Sequence, residues 1–263
     1  MTTLSQPAPS RLTTGGILNS EWIKLRSVRS PAWAFAITIV VTVAFAALLS
    51  IPLGGQALPS ANAASELGRT ATTGVLFSQI VVAVLGVLVI TGEYATGMIR
   101  STLAAVPSRV GALAGKAAVL FAATFVIAVI ASVVAFAVSS LMYASREVSA
   151  SLLDPGVLLP ILGGALYLAL LALLSLGIGT MLRSSAGGIA TVLGVLLLLP
   201  LLLSFIPFDW AADVAPFLFG NAGIAFWQPS EGGLDWWQNL LISIGWVVAS
   251  LGGGAILLSR RDA

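Results

Sequence analysis

The residues that could do chemistry in this chain are few, and most fail on type or spacing. There is no histidine and no cysteine. That removes the commonest general base, thiolate metal sites, disulfides and the HExxH zinc helix. The stretch GALAGKAA at 111–118 imitates a phosphate-binding loop. Such a loop needs GxxxxGK followed by Ser or Thr. Gly111 and Gly115 are one residue too close, and Ala117 stands where the hydroxyl belongs. The chain is therefore expected to bind no ATP itself. Asp209, Asp213, Glu231 and Asp235 share one segment with no basic partner and no nucleophile motif. No metal, cofactor, nucleic-acid or catalytic site is expected, and the chain is not expected to be an enzyme.

The surrounding elements explain why chemistry is scarce. The chain has 263 residues, 58% apolar and 8% charged, with a mean hydropathy of +1.05. A soluble domain carries roughly 25% charged residues. This chain could not cover its own surface in water, so an all-α integral membrane protein is expected. A crossing helix needs about 20 apolar residues. Six segments qualify, at about 31–53, 72–91, 113–141, 157–181, 187–207 and 238–258. They are continuously apolar rather than alternating, which argues for helices over a barrel. Their interiors hold essentially no charge, which counts against an ion-coupled carrier. Residues 1–15 form an expected disordered tail with no signal-peptide pattern, and 16–263 form one six-span domain. The first span would serve as an uncleaved anchor.

Orientation follows from the loop cations. With the N-terminus in the cytoplasm, ten of the twelve Lys and Arg residues fall inside, and only Arg69 and Arg146 fall outside. Both termini are then cytoplasmic, as six spans require. Lys116, at the start of the third span, is expected to snorkel to the headgroups.

Three further segments carry the remaining signal. In GILNSEWIKLRSVRS at 16–30, Ile17, Leu18, Trp22, Leu25 and Val28 share a helical face flanked by Lys24, Arg26 and Arg29. This is the pattern of a helix lying in the interface with its cations toward anionic lipid. The alternative is a basic stretch that only sets topology. In GEYATGMIRSTLAAVPSRVGA at 92–112, Gly92 and Gly97 permit a break. Ile99, Leu103 and Val106 then recur at helical spacing up to Pro107. A helix so short must dock on something, unless the segment is an ordinary connection. Residues 208–237 combine four acids with Trp210, Phe217, Phe219, Phe226, Trp227, Trp236 and Trp237. They are expected to form short interfacial or re-entrant helices at the outer interface, broken at Pro216 and Pro229. A cation-attracting vestibule is the alternative. Small residues at Ser175 and Gly179, and at Gly245, Ala249 and Gly253, suit close helix packing. Pro160 and Pro200 are expected to kink their spans.

The lead-in EWIKLRSVRSPAW, six spans and the loop GEYATGMIRSTLAAVPSRVGALAGK resemble a type-2 ABC transporter permease of the bacterial exporter kind. The loop pattern rests on Glu93, Gly97, Ile99, Arg100, Thr102, Leu103, Pro107, Ser108, Arg109 and Lys116. The resemblance implies a permease dimer in the bacterial plasma membrane, as a homo- or heterodimer, served by separate cytoplasmic ATPase subunits that hold ATP and Mg. It implies an interfacial elbow helix containing Trp22, Lys24, Leu25, Arg26 and Arg29. It also implies a coupling helix after span two. There Ile99, Leu103 and Val106 would dock on the ATPase, and Arg100 and Arg109 would make charge contacts to it or to lipid. Glu93 would brace the loop through an arginine. An apolar pathway suggests drug, antibiotic or lipid-like cargo. The alternative function is an ion-coupled carrier or channel without an ATPase.

Overall fold

A computed structural model describes residues 13–51, 63–106, 108–144, 149–229 and 233–260. Those residues are helical with no strand, and six helical stretches are long and apolar enough to cross a membrane. The tail before residue 13, and Pro107, Arg146, Glu147, Glu231 and Arg261, lie outside the described residues.

Helix α1 covers Thr14–Ser27, started by the Thr13 side chain, which accepts from the Gly16 N–H. Lys24 and Arg26 occupy its last turn, favourable against the helix dipole. Val28 is extended and separates α1 from α2, Arg29–Ser50. Pro31 sits in the first turn of α2, where a missing N–H costs little. The second span is longer than its expected 72–91, because α3 (Ala63–Thr73) runs into α4 (Val75–Thr96) past Gly74. A Cβ at Gly74 would strike the Thr42 backbone, so α2 presses directly on this joint. There the Thr42 and Ser78 hydroxyls pair at 2.8 Å. Gly97, at φ 72, ends α4 in the left-handed region open to glycine. Gly92, by contrast, stays inside the helix, so only one of the two expected break points is used.

The short α5 covers Met98–Ala105, and α6 covers Arg109–Tyr143 from a Ser108 cap. Helix α7, Pro155–Leu182, is the central post, buried along most of its length against α4, α6 and α12. Gly86 of α4 faces Ala172 and Ser175, and Gly179 faces Val87, with no room for a Cβ at either. The Ser175 and Gly179 pair thus serves close packing as expected. On α12, Trp236–Arg260, the close approach uses Ser250 and Gly254 against Gly177 and Thr180. Gly245 has open space instead.

The fifth span is α8 (Ser185–Leu193), a π-helical stretch at Gly194–Leu198, and α9 (Leu199–Ser204). The ladder widens to a Leu199 N–H to Gly194 carbonyl bond just before Pro200. Proline cannot donate, and the wider turn absorbs the gap. The segment after the fifth span forms α10 (Asp209–Val214), a 3-10 turn at Ala215–Phe217 containing Pro216, and α11 (Phe219–Ile224). Its aromatics divide. Trp210, Phe217, Trp236 and Trp237 are exposed, as an interfacial belt requires, whereas Phe219, Phe226 and Trp227 are buried in the main core. Expecting all seven at the interface is therefore incorrect. Gly163 and Gly223 lack side chains where Phe226 and Tyr167 press in, so the segment re-enters the bundle.

Candidate functional site

Four charged side chains from three helices meet at the α1 end of the bundle. Glu21 comes from α1, Glu93 from the last turns of α4 and Lys116 from the second turn of α6, and all three are buried. Lys24, one turn after Glu21, completes the group with 25% of its side chain exposed. The contacts close a ring of alternating sign. Lys116 Nζ donates to Glu21 Oε2 at 2.5 Å and to Glu93 Oε1 at 2.6 Å. Lys24 Nζ donates to Glu21 Oε1 at 2.6 Å and to Glu93 Oε1 at 3.2 Å. Its third donor reaches Thr102 Oγ1 on α5 at 3.0 Å, and the Thr102 hydroxyl lies 3.5 Å from Glu93 Oε2.

The electrostatics follow from this geometry. Two acids and two bases cancel, so no net charge is buried. Burial alone would lower the Lys24 pKa, but the carboxylates of Glu21 and Glu93 outweigh it and hold the ammonium above its ordinary value. Removing one partner would strand a buried charge, which typically costs about 3–5 kcal/mol. The ring therefore fixes α1, α4, α5 and α6 relative to one another. A cavity of about 180 Å³ lies beside it, lined by all four charges and by apolar residues including Leu25, Val89 and Leu120.

Three expectations about these residues do not hold. Lys116 does not snorkel outward, because two carboxylates meet it inside. Lys24 is turned into the ring rather than toward lipid. Glu93 is braced by two lysines and not by an arginine. Glu21, to which its type and spacing alone assign no role, holds both lysines. The inward face of α1 is correspondingly Glu21 and Leu25, which are buried, with Ile17 half-buried, whereas Leu18, Trp22 and the following Val28 are exposed. Arg26 and Arg29 are exposed as expected.

Helix α5 exists, as the spacing of Ile99, Leu103 and Val106 requires, but its apolar face turns inward. Ile99 is 5% exposed and Val106 8%, and Leu103 packs on the same core. Ile99 and Val106 are thus covered by the chain's own helices, whereas Leu103 keeps part of its surface. The outward face carries Gly97, Arg100, Ser101 and Ala104. Arg109 is also committed within the chain, donating to the Leu258 carbonyl at 2.9 Å. That carbonyl belongs to the last turn of α12, where carbonyls lack helical partners.

Among the described residues no cluster of acids is arranged to hold a metal. The model of the family described as ABC-2 family transporter protein matches residues 17–200. That stretch contains most of α1, the whole charge ring, α5 and the first four spans. No curated protein matches the chain.

Proposed function

The chain belongs to the ABC-2 family of transporter proteins, and on that premise we propose that it is the permease subunit of an ATP-driven exporter. Two such subunits, identical or not, form the pathway in a bacterial plasma membrane with both termini cytoplasmic. A separate ATPase pair binds ATP and Mg and hydrolyses the nucleotide. Cargo is of a drug, antibiotic or lipid-like kind, in keeping with the largely apolar spans.

The observation that carries this reading is the ring of Glu21, Lys24, Glu93 and Lys116, with Thr102 attached. A force on the outer face of α5 would pass through Thr102 and Glu93 into α4, and through Lys116 into α6. Inward packing of Ile99 and Val106 supports the same transfer, because an anchored helix moves its spans where a loose one would slide. Docking then uses the outward face, with Arg100 supplying charge and Gly97, Ser101 and Ala104 permitting close approach. Helix α1, with Trp22, Leu25, Arg26 and Arg29, serves as the interfacial elbow.

The test is purification from the native membrane in mild detergent. A soluble ATPase is expected at equal stoichiometry, and Arg100→Glu with Ala104→Asp should remove it while the permease stays folded. A chain that purifies alone and moves cargo down an ion gradient would overturn the reading.

A further inference from the structure

A second, larger cleft of about 400 Å³ lies on the other side of α1, between that helix, α2 and α6. Leu25, Phe35, Ala123 and Ile127 wall it, and Ala122 and Val126 border its open side. Along α6 the lined stretch from Ala122 to Ile127 rises about 8 Å at 1.5 Å per residue. Every lining residue is apolar except Arg26, which lines the groove from α1 together with Trp22. Arg26 is exposed and makes no ion pair with an acid among the described residues. Arg29, exposed at the start of α2, makes none either. The contrast with Lys24, two residues from Arg26 and fully engaged in the ring, is sharp.

A hydrocarbon groove with an uncompensated guanidinium fits one chemistry: a long acyl chain carrying an anionic head. Guanidinium forks match phosphate oxygens in pairs, and tryptophan favours headgroup depth. We propose that the groove holds one anionic phospholipid of the leaflet in which α1 lies. Its acyl chain packs on α2 and α6, and its phosphate sits on Arg26, with Arg29 adding to the local positive field. The site does not depend on an ATPase partner, so it stands or falls separately from the exporter reading.

The test uses the purified full chain in nanodiscs containing phosphatidylglycerol with a diazirine in one acyl chain, or the matching phosphatidylcholine. Crosslinked peptides should centre on Phe35 and the 122–127 stretch of α6. Phosphatidylglycerol should label at least about fivefold more than phosphatidylcholine, since one cation near an anionic lipid contributes about 1 kcal/mol. Arg26→Glu should remove that preference. Ala122→Phe, at an exposed position, should fill the groove and abolish the label with thermal stability unchanged. Equal labelling by both lipids, or label spread evenly over α2, α9 and α12, would overturn the proposal. So would a disulfide between subunits of Ala122→Cys, the sole cysteine of that variant, because a second copy would then cover the groove.

Discussion

The two ends of the bundle are closed by opposite chemistry. At the α1 end, four charges and a threonine hydroxyl join α1, α4, α5 and α6 through directional contacts. At the α11 end, Phe219, Phe226 and Trp227 are driven into the core beside Tyr167, in spaces left by Gly163 and Gly223. Ring stacking of Tyr167 on Phe219, at 5.7 Å between centroids, has no counterpart in charge. An aromatic plug holds by shape and tolerates small sliding. A closed ring of ion pairs fails as a unit when one member leaves, and until then it transmits displacement in defined directions. The charged end is thus suited to receive a mechanical input, and the aromatic end to cap the bundle.

The contrast can be broken first where the expected effects are largest. Lys116→Met leaves Glu21 and Glu93 sharing Lys24 and should cost about 3–5 kcal/mol in unfolding assays in detergent. Exchanging the pair, Glu93→Lys with Lys116→Glu, should recover a substantial part of that loss, and no recovery would count against the ring geometry. Trp227→Ala at the other end should also cost about 3–5 kcal/mol, by cavity formation, with a loss that is insensitive to charge exchange. Gly97→Ala places a Cβ in the left-handed region and should cost about 1–2 kcal/mol, read as a lower melting temperature and faster proteolysis near α5. The smallest effect is alkaline. Because its partners hold the Lys24 pKa above 10.5 in the folded chain, its contribution is complete below that pH. It is lost as pH rises through the folded-state value. A melting curve falling above pH 10.5, and falling less in Lys24→Gln, would sharpen the assignment.

The spans were legible because uninterrupted apolar runs leave a polypeptide no other place to go, and their number follows directly. Helix α5 was legible from the spacing of Ile99, Leu103 and Val106, but its orientation was not. An apolar stripe reads alike whether it faces a partner or its own chain. The ring was missed because Glu21 and Lys116 are 95 residues apart and each resembles an ordinary interfacial charge when taken alone. One signal was present. In the segments expected on the cation-rich side, Glu21 and Glu93 are the only acids before Asp262, and two acids near span ends need bases. The aromatic segment was misjudged for a related reason, since hydropathy does not separate Trp227, which is buried, from Trp237, which is not.

The most direct test of the account asks whether α5 moves with α1 as one block. Ser20→Cys on α1 and Ser101→Cys on α5, both exposed, can be spin-labelled specifically because the chain has no cysteine. Distances would be measured by pulsed electron resonance in the complex with the proposed ATPase, with and without a non-hydrolysable ATP analogue. A constant distance is expected within each subunit, with a nucleotide-dependent change between the Ser101 positions of the two subunits of the proposed dimer. A nucleotide-dependent change between positions 20 and 101 of the same subunit would mean that α5 slides past the ring, and would contradict it.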